Sequence, residues 1–495
     1  MSLVARPEEL PEQIPAAELA ALAYPTTVAD ICAALLRRLS SLVDCPKEVA
    51  PYLAHALRSR LKSHNLKCIT LDGRGPAPDR VPLVSSGLLA NMRQALLDSV
   101  RGPAADTVLV LPHLDLMAGG TAGEAREVAA LLVENPEILW VGFRDPAVPL
   151  LRLVEQLPLY RARVGGVPRD RLRFLVTRAE GRKFGGAVDL ARLYRRVSGL
   201  NVVQLRKYLG ALDREDLPAD PGGALAELRR LTLPPGCTVP DERLAEVGGY
   251  PMAKAKLDAD LLGILARIDA AGSDEERGRL ERLLPRGVLL TGPPGVGKRL
   301  LARGLASAVG AAFLETTGAE LKSRYVGGSE ENLRLLFAKA RQAAPAVVLF
   351  KELDAFAARP GRGVTEPSLF LQLLQELDEL PRGELVFAVG TAPAASDLDS
   401  AVVQPGRFEL VIELGPPTAE YRAAILSSSA AGQGLELSRE AAERAVELSA
   451  SPPPAPPHHG ARLAALCRGL ARLRALEGGN GPVKPAEVER VWASL

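Results

Sequence analysis

Cysteine is scarce in this 495-residue chain, and an excess of charge of either sign is absent. The five cysteines, Cys32, Cys45, Cys68, Cys237 and Cys467, form no CxxC pair and do not cluster with histidine. A zinc site and a disulfide framework are therefore not expected, and reduced thiols in a cytoplasmic protein are. Lysine and arginine number 61 against 59 aspartates and glutamates, a formal charge of +2. That balance gives no pull toward nucleic acid or an anionic membrane, and neither is expected as a partner. No run of about 18 apolar residues occurs, so no segment is expected to span a membrane. The opening MSLVARPEELPEQIP has no apolar core of the signal-peptide kind.

What is present is an ordinary globular balance of 47% hydrophobic and 24% charged residues, over a length that implies about three structural units. Proline and glycine punctuate the chain at two informative places. Residues 213–240 contain LPADPGG and LTLPPGCTVP, a linker flanking one short helix, and SPPPAPPHH at 451–459 must be a surface loop. After the linker, strand and helix signals alternate. Residues 287–291, 312–315, 346–350 and 384–390 are strand-like, whereas 299–309, 330–343 and 367–380 have helical periodicity. This alternation predicts an α/β fold with a mostly parallel sheet, and from Pro417 onward only helices, a small lid.

The N-terminal half echoes the same plan. Residues 107–117 (TVLVLPHLDLM) resemble 346–356 (AVVLFKELDAF), 138–142 resemble 385–390, and 66–73 resemble 311–318. Three echoes in the same order predict a duplicated domain. The offset places Lys47 to Leu53 opposite the glycine-rich segment described next. No glycine remains there, so the first copy is expected to have lost nucleotide binding.

Gly292, Pro293, Pro294, Gly295, Val296, Gly297 and Lys298 form a GxxxxGK string between an apolar strand and a helix. In that setting the glycines let backbone N–H groups curl around phosphate oxygens. The helix N-terminus adds positive potential, and Lys298 reaches the outer phosphates. The residue after the lysine should carry a hydroxyl for Mg²⁺. Here it is Arg299.

Together with this loop, LAEVGG at 244–249, YVGGSEENLR at 325–334, APAVVLF at 344–350 and QPGRF at 404–408 resemble AAA proteins. The similarity is greatest to the group of valosin-containing protein and the membrane AAA proteases. It is specific over 241–495 and faint over about 43–212. The resemblance implies an ATP site bordered at the adenine by Val247 and Gly248 and by Gly460 and Ala461 in the lid. It puts Lys351 at the position of a magnesium-binding aspartate and Glu352 at that of the glutamate that polarises the attacking water. A sensor asparagine is missing near Ala392, Gln404 occupies the first arginine-finger position, and Arg407 keeps the second. Tyr325, Val326 and Gly327 match an aromatic pore loop that grips polypeptide, although Tyr325 could also be a core aromatic.

With both protein ligands of magnesium replaced by cations, fast hydrolysis is not expected. Arg299 and Lys351 either supply the charge the metal would bring, or point to solvent and snorkel from a strand end. The expected architecture is two tandem AAA modules of the P-loop NTPase class. It divides into an N-terminal helical segment (1–40), a degenerate large subdomain (41–170), a first lid and linker (171–240), a nucleotide-binding domain (241–415) and a C-terminal lid (416–495). The resemblance further implies a homo-oligomeric, hexameric ring acting on a protein client or assembly. Two functions follow: a remodelling ATPase with weakened hydrolysis, or a catalytically inactive scaffold stabilised by nucleotide. The resemblance implies ATP as cofactor and leaves Mg²⁺ possible, although its protein ligands are missing.

Overall fold

The computed structural model describes residues 4–72, 88–101, 106–119, 123–146, 148–214, 220–234, 236–271, 273–324, 327–359, 367–380, 384–450, 460–477 and 481–495. The chain divides into two compact units that meet in sequence at Thr232 and Leu233.

The first unit holds a five-stranded parallel sheet of β1 (Ser41–Asp44), β2 (Lys67–Thr70), β3 (Thr107–Leu111), β4 (Leu139–Arg144) and β5 (Tyr160–Arg163), in the order β2-β3-β4-β1-β5. Helices α1 (Ala50–Lys62), α2 (Leu88–Arg101) and α3 (Gly123–Glu134) follow the first three strands. Residues 108–111 are all buried, as expected of a parallel strand covered on both faces. The N-terminal helices Leu19–Ala23 and Pro25–Leu36 pack into the same core through Ala20, Ile31 and Leu35. Residues Val4–Ala5 pair antiparallel with Val188–Asp189. Three helices, Leu190–Val197, Val202–Arg214 and Pro221–Thr232, end the unit. Among the described residues no single helix is long and apolar enough to cross a membrane.

The second unit repeats the sheet with β6 (Gly287–Thr291), β7 (Ala312–Thr317), β8 (Ala346–Lys351), β9 (Val386–Ala392) and β10 (Leu410–Glu413), ordered β10-β6-β9-β8-β7 and parallel throughout. Read from its other edge, the first sheet has the same order of first to fifth strands. Helices α4 (Lys298–Val309), α5 (Gly328–Gln342) and α6 (Pro367–Asp378) follow β6, β7 and β8. Along β8, Val348 and Phe350 pack with Phe337 and Leu373, whereas Val347 and Leu349 pack with Leu301 and Leu305. Period-two alternation thus divides one apolar strand between two cores.

The lid comprises α7 (Ala419–Ala431), α8 (Arg439–Leu448), α9 (Gly460–Glu477) and α10 (Pro485–Trp492) around a separate core of Leu426, Ala445, Leu463, Leu466, Leu470 and Val488.

The first copy's counterpart of the glycine loop is displaced from its expected position. Its first strand ends at Asp44 and α1 begins at Ala50, so the turn is Cys45 to Val49 and not Lys47 to Leu53. The offset carried from the second strand ignored a connection that is longer in this copy, Asp44 to Lys67 against Thr291 to Ala312.

Candidate nucleotide site

The second unit's sheet ends in a cavity of about 1060 Å³, lined by Gly292, Gly295, Lys298, Arg299, Lys351 and Glu352 among others. This is the carboxyl edge of the parallel strands, where open α/β sheets bind their ligands. Pro294, Val296 and Gly297 also line it. The turn depends on glycine at Gly292, where φ is +138° and a Cβ would lie 2.0 Å from the carbonyl oxygen of Leu414. A side chain there would push apart the loop and the end of β10. Gly292 N–H donates to the carbonyls of Ala392 and Pro393, at the end of β9, at 3.2 and 2.9 Å. Gly297 then sets the start of α4, whose first residue is Lys298. The Lys298 ammonium donates to the carbonyls of Gly292 and Pro293, the latter at 3.0 Å. Burial pulls its pKa down, and the nearby charge of Asp354 opposes this.

Arg299 makes a two-pronged contact to Glu315 of β7, with Nε and Nη2 at 2.7 and 2.8 Å from its two oxygens. Lys351 Nζ, from the end of β8, lies 3.9 Å from the same carboxylate. The hydrogen bond from Arg299 holds the Glu315 carboxyl below its ordinary range, with the charges of Arg299 and Lys351 assisting. Arg299 is thus paired across the sheet edge and does not simply extend into solvent. The side chains of this cluster are 31 to 58% exposed. Exposed pairs contribute about 0–1 kcal/mol, so the arrangement orients charge more than it stabilises the fold. Glu315 escapes sequence reasoning because a lone carboxylate on a short strand resembles a solvated position. Its place near the carboxyl end of β7 is the signal that could have found it.

Glu352 adopts φ +53°, a conformation uncommon for a residue with a side chain. Its N–H donates to the Thr391 hydroxyl at 3.1 Å, and that hydroxyl donates to the carbonyl of Phe350. Thr391 therefore ties the bend after β8 to β9, a role invisible without the register of the two strands. Glu352 projects as an exposed side chain at the cavity wall. Two residues on, Asp354 has its Oδ1 buried without a hydrogen-bond partner among the described residues. Burial raises its carboxyl pKa, and the charges of Glu352 and Asp397 add to the rise.

At the opposite end, Val247 is buried, and a Cβ on Gly248 would lie 2.4 Å from the Cα of Ile425 in α7. Glycine there lets the lid helix approach the strand-side segment. Gly460 opens α9, and Ala461 N–H donates to the carbonyl of Gly295 at 3.1 Å. The two pairs of residues assigned to the adenine thus bring the lid against the phosphate loop.

Arg407 lies outside this cavity lining. Its guanidinium forks onto Asp378, at 2.9 and 2.7 Å, and donates to the carbonyl of Ala401 and to the Gln404 side chain. Tyr325 and Val326 fall outside the described residues, while Gly327 precedes α5 with φ +79°.

In the first unit, the corresponding turn carries Lys47, whose ammonium donates to Asp115 and, at 3.2 Å, to the carbonyl of Pro112. Asp115 is fully buried and also accepts from the N–H groups of Leu116 and Asp145 at 2.8 and 2.7 Å. Arg144 bridges Asp44 and Glu155 beside it.

Residues 288–416 match the family described as "ATPase family associated with various cellular activities (AAA)". The second unit contains an AAA domain. Protein CdcH of Halobacterium salinarum is 35% identical over 263 residues, covering 49% of this chain and 34% of that protein. The ATPase family gene 2 protein of Schizosaccharomyces pombe is 30% identical over 412 residues, covering 78% and 48%. The ATP-dependent zinc metalloprotease FtsH 2 of Thermoanaerobacter is 31% identical over 247 residues, covering 49% and 47%. The chain therefore spans about half, or less, of the length of these curated relatives, and its similarities are those of an AAA ATPase of the valosin-containing protein and FtsH group. Two parallel sheets of one strand order fit tandem modules of this family.

The AAA family implies nucleotide binding that is typically magnesium-dependent. The residues of this site do not fit the metal. At the two positions where the resemblance expects its protein ligands stand the cations Arg299 and Lys351, both directed at Glu315.

Proposed function

We propose that this chain is an ATP-binding AAA protein that acts on protein assemblies as part of a homo-oligomeric, hexameric ring in the cytoplasm, with hydrolysis weakened relative to its family. The observation that carries the reading is the conjunction of an intact phosphate cradle with cations at the metal positions. Gly292, Gly295 and Gly297 open the loop, Lys298 points along it, and Glu352 stands at the cavity wall. Val247, Gly248, Gly460 and Ala461 close the far end, a suitable border for a base. Charge developing on the transferred phosphoryl group is normally neutralised by metal and by an arginine finger, and loss of a finger alone costs about 10³ to 10⁵ in rate. Here the metal has no fitting ligands, and Arg407 is engaged by Asp378.

That engagement favours a second reading, a catalytically inactive scaffold that nucleotide stabilises. ATP binding and phosphate release on one purified sample separate the two, with Lys298→Ala and Glu352→Gln as controls. Turnover lost in both variants supports the remodelling ATPase acting on a client through the Tyr325 segment. Tight binding with release no faster than in Lys298→Ala supports the scaffold. Failure of the wild type to bind ATP would overturn both.

A further inference from the structure

Three charged side chains from three elements meet beside the glycine loop: Arg299 at the start of α4 and Lys351 at the end of β8, which line the cavity, and Glu315 on β7, which faces both. Taking the cavity as an ATP site, as proposed above, we propose that ATP binds there without a divalent metal and that Glu315 is the counter-ion it must displace. Glu315 is then the residue that sets affinity for the terminal phosphate.

The geometry carries this in three ways. A guanidinium fork that accepts a carboxylate at 2.7 and 2.8 Å accepts two phosphate oxygens equally well, so Glu315 and a phosphate are competitors for one donor set. Lys351, at 3.9 Å, is already drawn to the same carboxylate and would follow the charge to a phosphate. The cluster is only partly buried, so exchanging one anion for another strands no charge in a dry interior. A magnesium ion at this place would instead have two cations for neighbours, and the one carboxylate between them, Glu315, is already paired with both. The terminal phosphate of ATP supplies oxygens that ADP lacks, so the contest with Glu315 discriminates between the two nucleotides.

Isothermal titration of the full chain with ATP and with ADP, in EDTA and in excess Mg²⁺, tests the proposal. Wild type is expected to bind ATP in EDTA at least as tightly as with metal. Glu315→Gln, which keeps the shape and removes the charge, is expected to tighten ATP binding in EDTA about tenfold and ADP binding less. The double variant Arg299→Ser, Lys351→Asp is expected to make ATP binding depend on Mg²⁺. Thermal unfolding of each variant confirms that the fold is kept, and the double variant tests the site independently of Glu315. Wild-type binding that requires Mg²⁺ would overturn this proposal and leave the ATP site intact. An ATP affinity unchanged or weakened in Glu315→Gln would overturn the role of Glu315. No ATP binding in either condition would overturn the ATP site itself.

Discussion

The two sheets have one strand order, yet their corresponding corners are solved in opposite ways. In the first unit, Lys47 in the turn after β1 is joined to the buried Asp115, and two backbone N–H groups complete that carboxylate. In the second, Lys298 rests on loop carbonyls, and Asp354 keeps a buried oxygen without a partner among the described residues. Leu114-Asp115 and Leu353-Asp354 are the same step of the repeated pattern. One lysine and one aspartate thus serve as an internal cross-link in one copy and remain separate in the other. A ligand site and a structural ion pair differ here by whether the protein satisfies its own charges.

Breaking the cross-link should have the largest effect. Lys47→Met leaves the fully buried Asp115 with its two N–H donors but no counter-ion. Removing one partner of a buried pair costs about 3–5 kcal/mol, and the lower end is expected here. Urea denaturation followed in the first unit measures it. The double variant Lys47→Met, Asp115→Asn should lose less than the sum of the single changes, since no charge is then stranded. Equal effects would mean the pair is not coupled.

A smaller effect is expected at Arg407. If its fork to Asp378 is structural, Arg407→Ala and Asp378→Ala should each destabilise the second unit by about 1 kcal/mol, and the double variant by little more. If Arg407 instead serves a neighbouring subunit, Asp378→Ala would leave phosphate release intact while Arg407→Ala abolishes it.

The smallest concerns Asp354. Its folded carboxyl pKa is raised, so the folded state binds a proton more readily than the unfolded chain, whose value is about 3.9. Stability from this group is present below that value and is lost as pH rises through the folded pKa. Asp354→Asn should therefore match wild type near pH 3 and be slightly more stable at pH 7, by under about 1 kcal/mol. Thermal melts across that range check the sign, and a variant less stable at pH 7 would contradict it.

Much of this was legible in the chain itself. The apolar runs at 287–291 and 346–350 and the glycines at 292–297 are local signals, and strands, helix starts and loop appear where they predict. The first sheet was readable only by its echoes, since its turn retains no glycine. Glu315, Thr391 and Asp378 were not legible, because each acts on a residue 16 to 39 positions away through strand register or helix packing. Lys47 and Asp115 lie 68 apart and met only once the strand order was known. Pattern reveals what a segment does with its neighbours, and little of what a charge does across a sheet.

The bond from Ala461 N–H to the carbonyl of Gly295 couples α9 of the lid to the glycine loop, beside the packing of α7 against Gly248. It satisfies one of the free N–H groups at the start of α9, an 18-residue helix about 27 Å long. Pinned at that end, the helix turns a rotation of one degree at the glycine loop into about 0.5 Å at its tip. A shift too small to see beside a phosphate would thus become, at the edge of the lid, a displacement large enough for another surface to register.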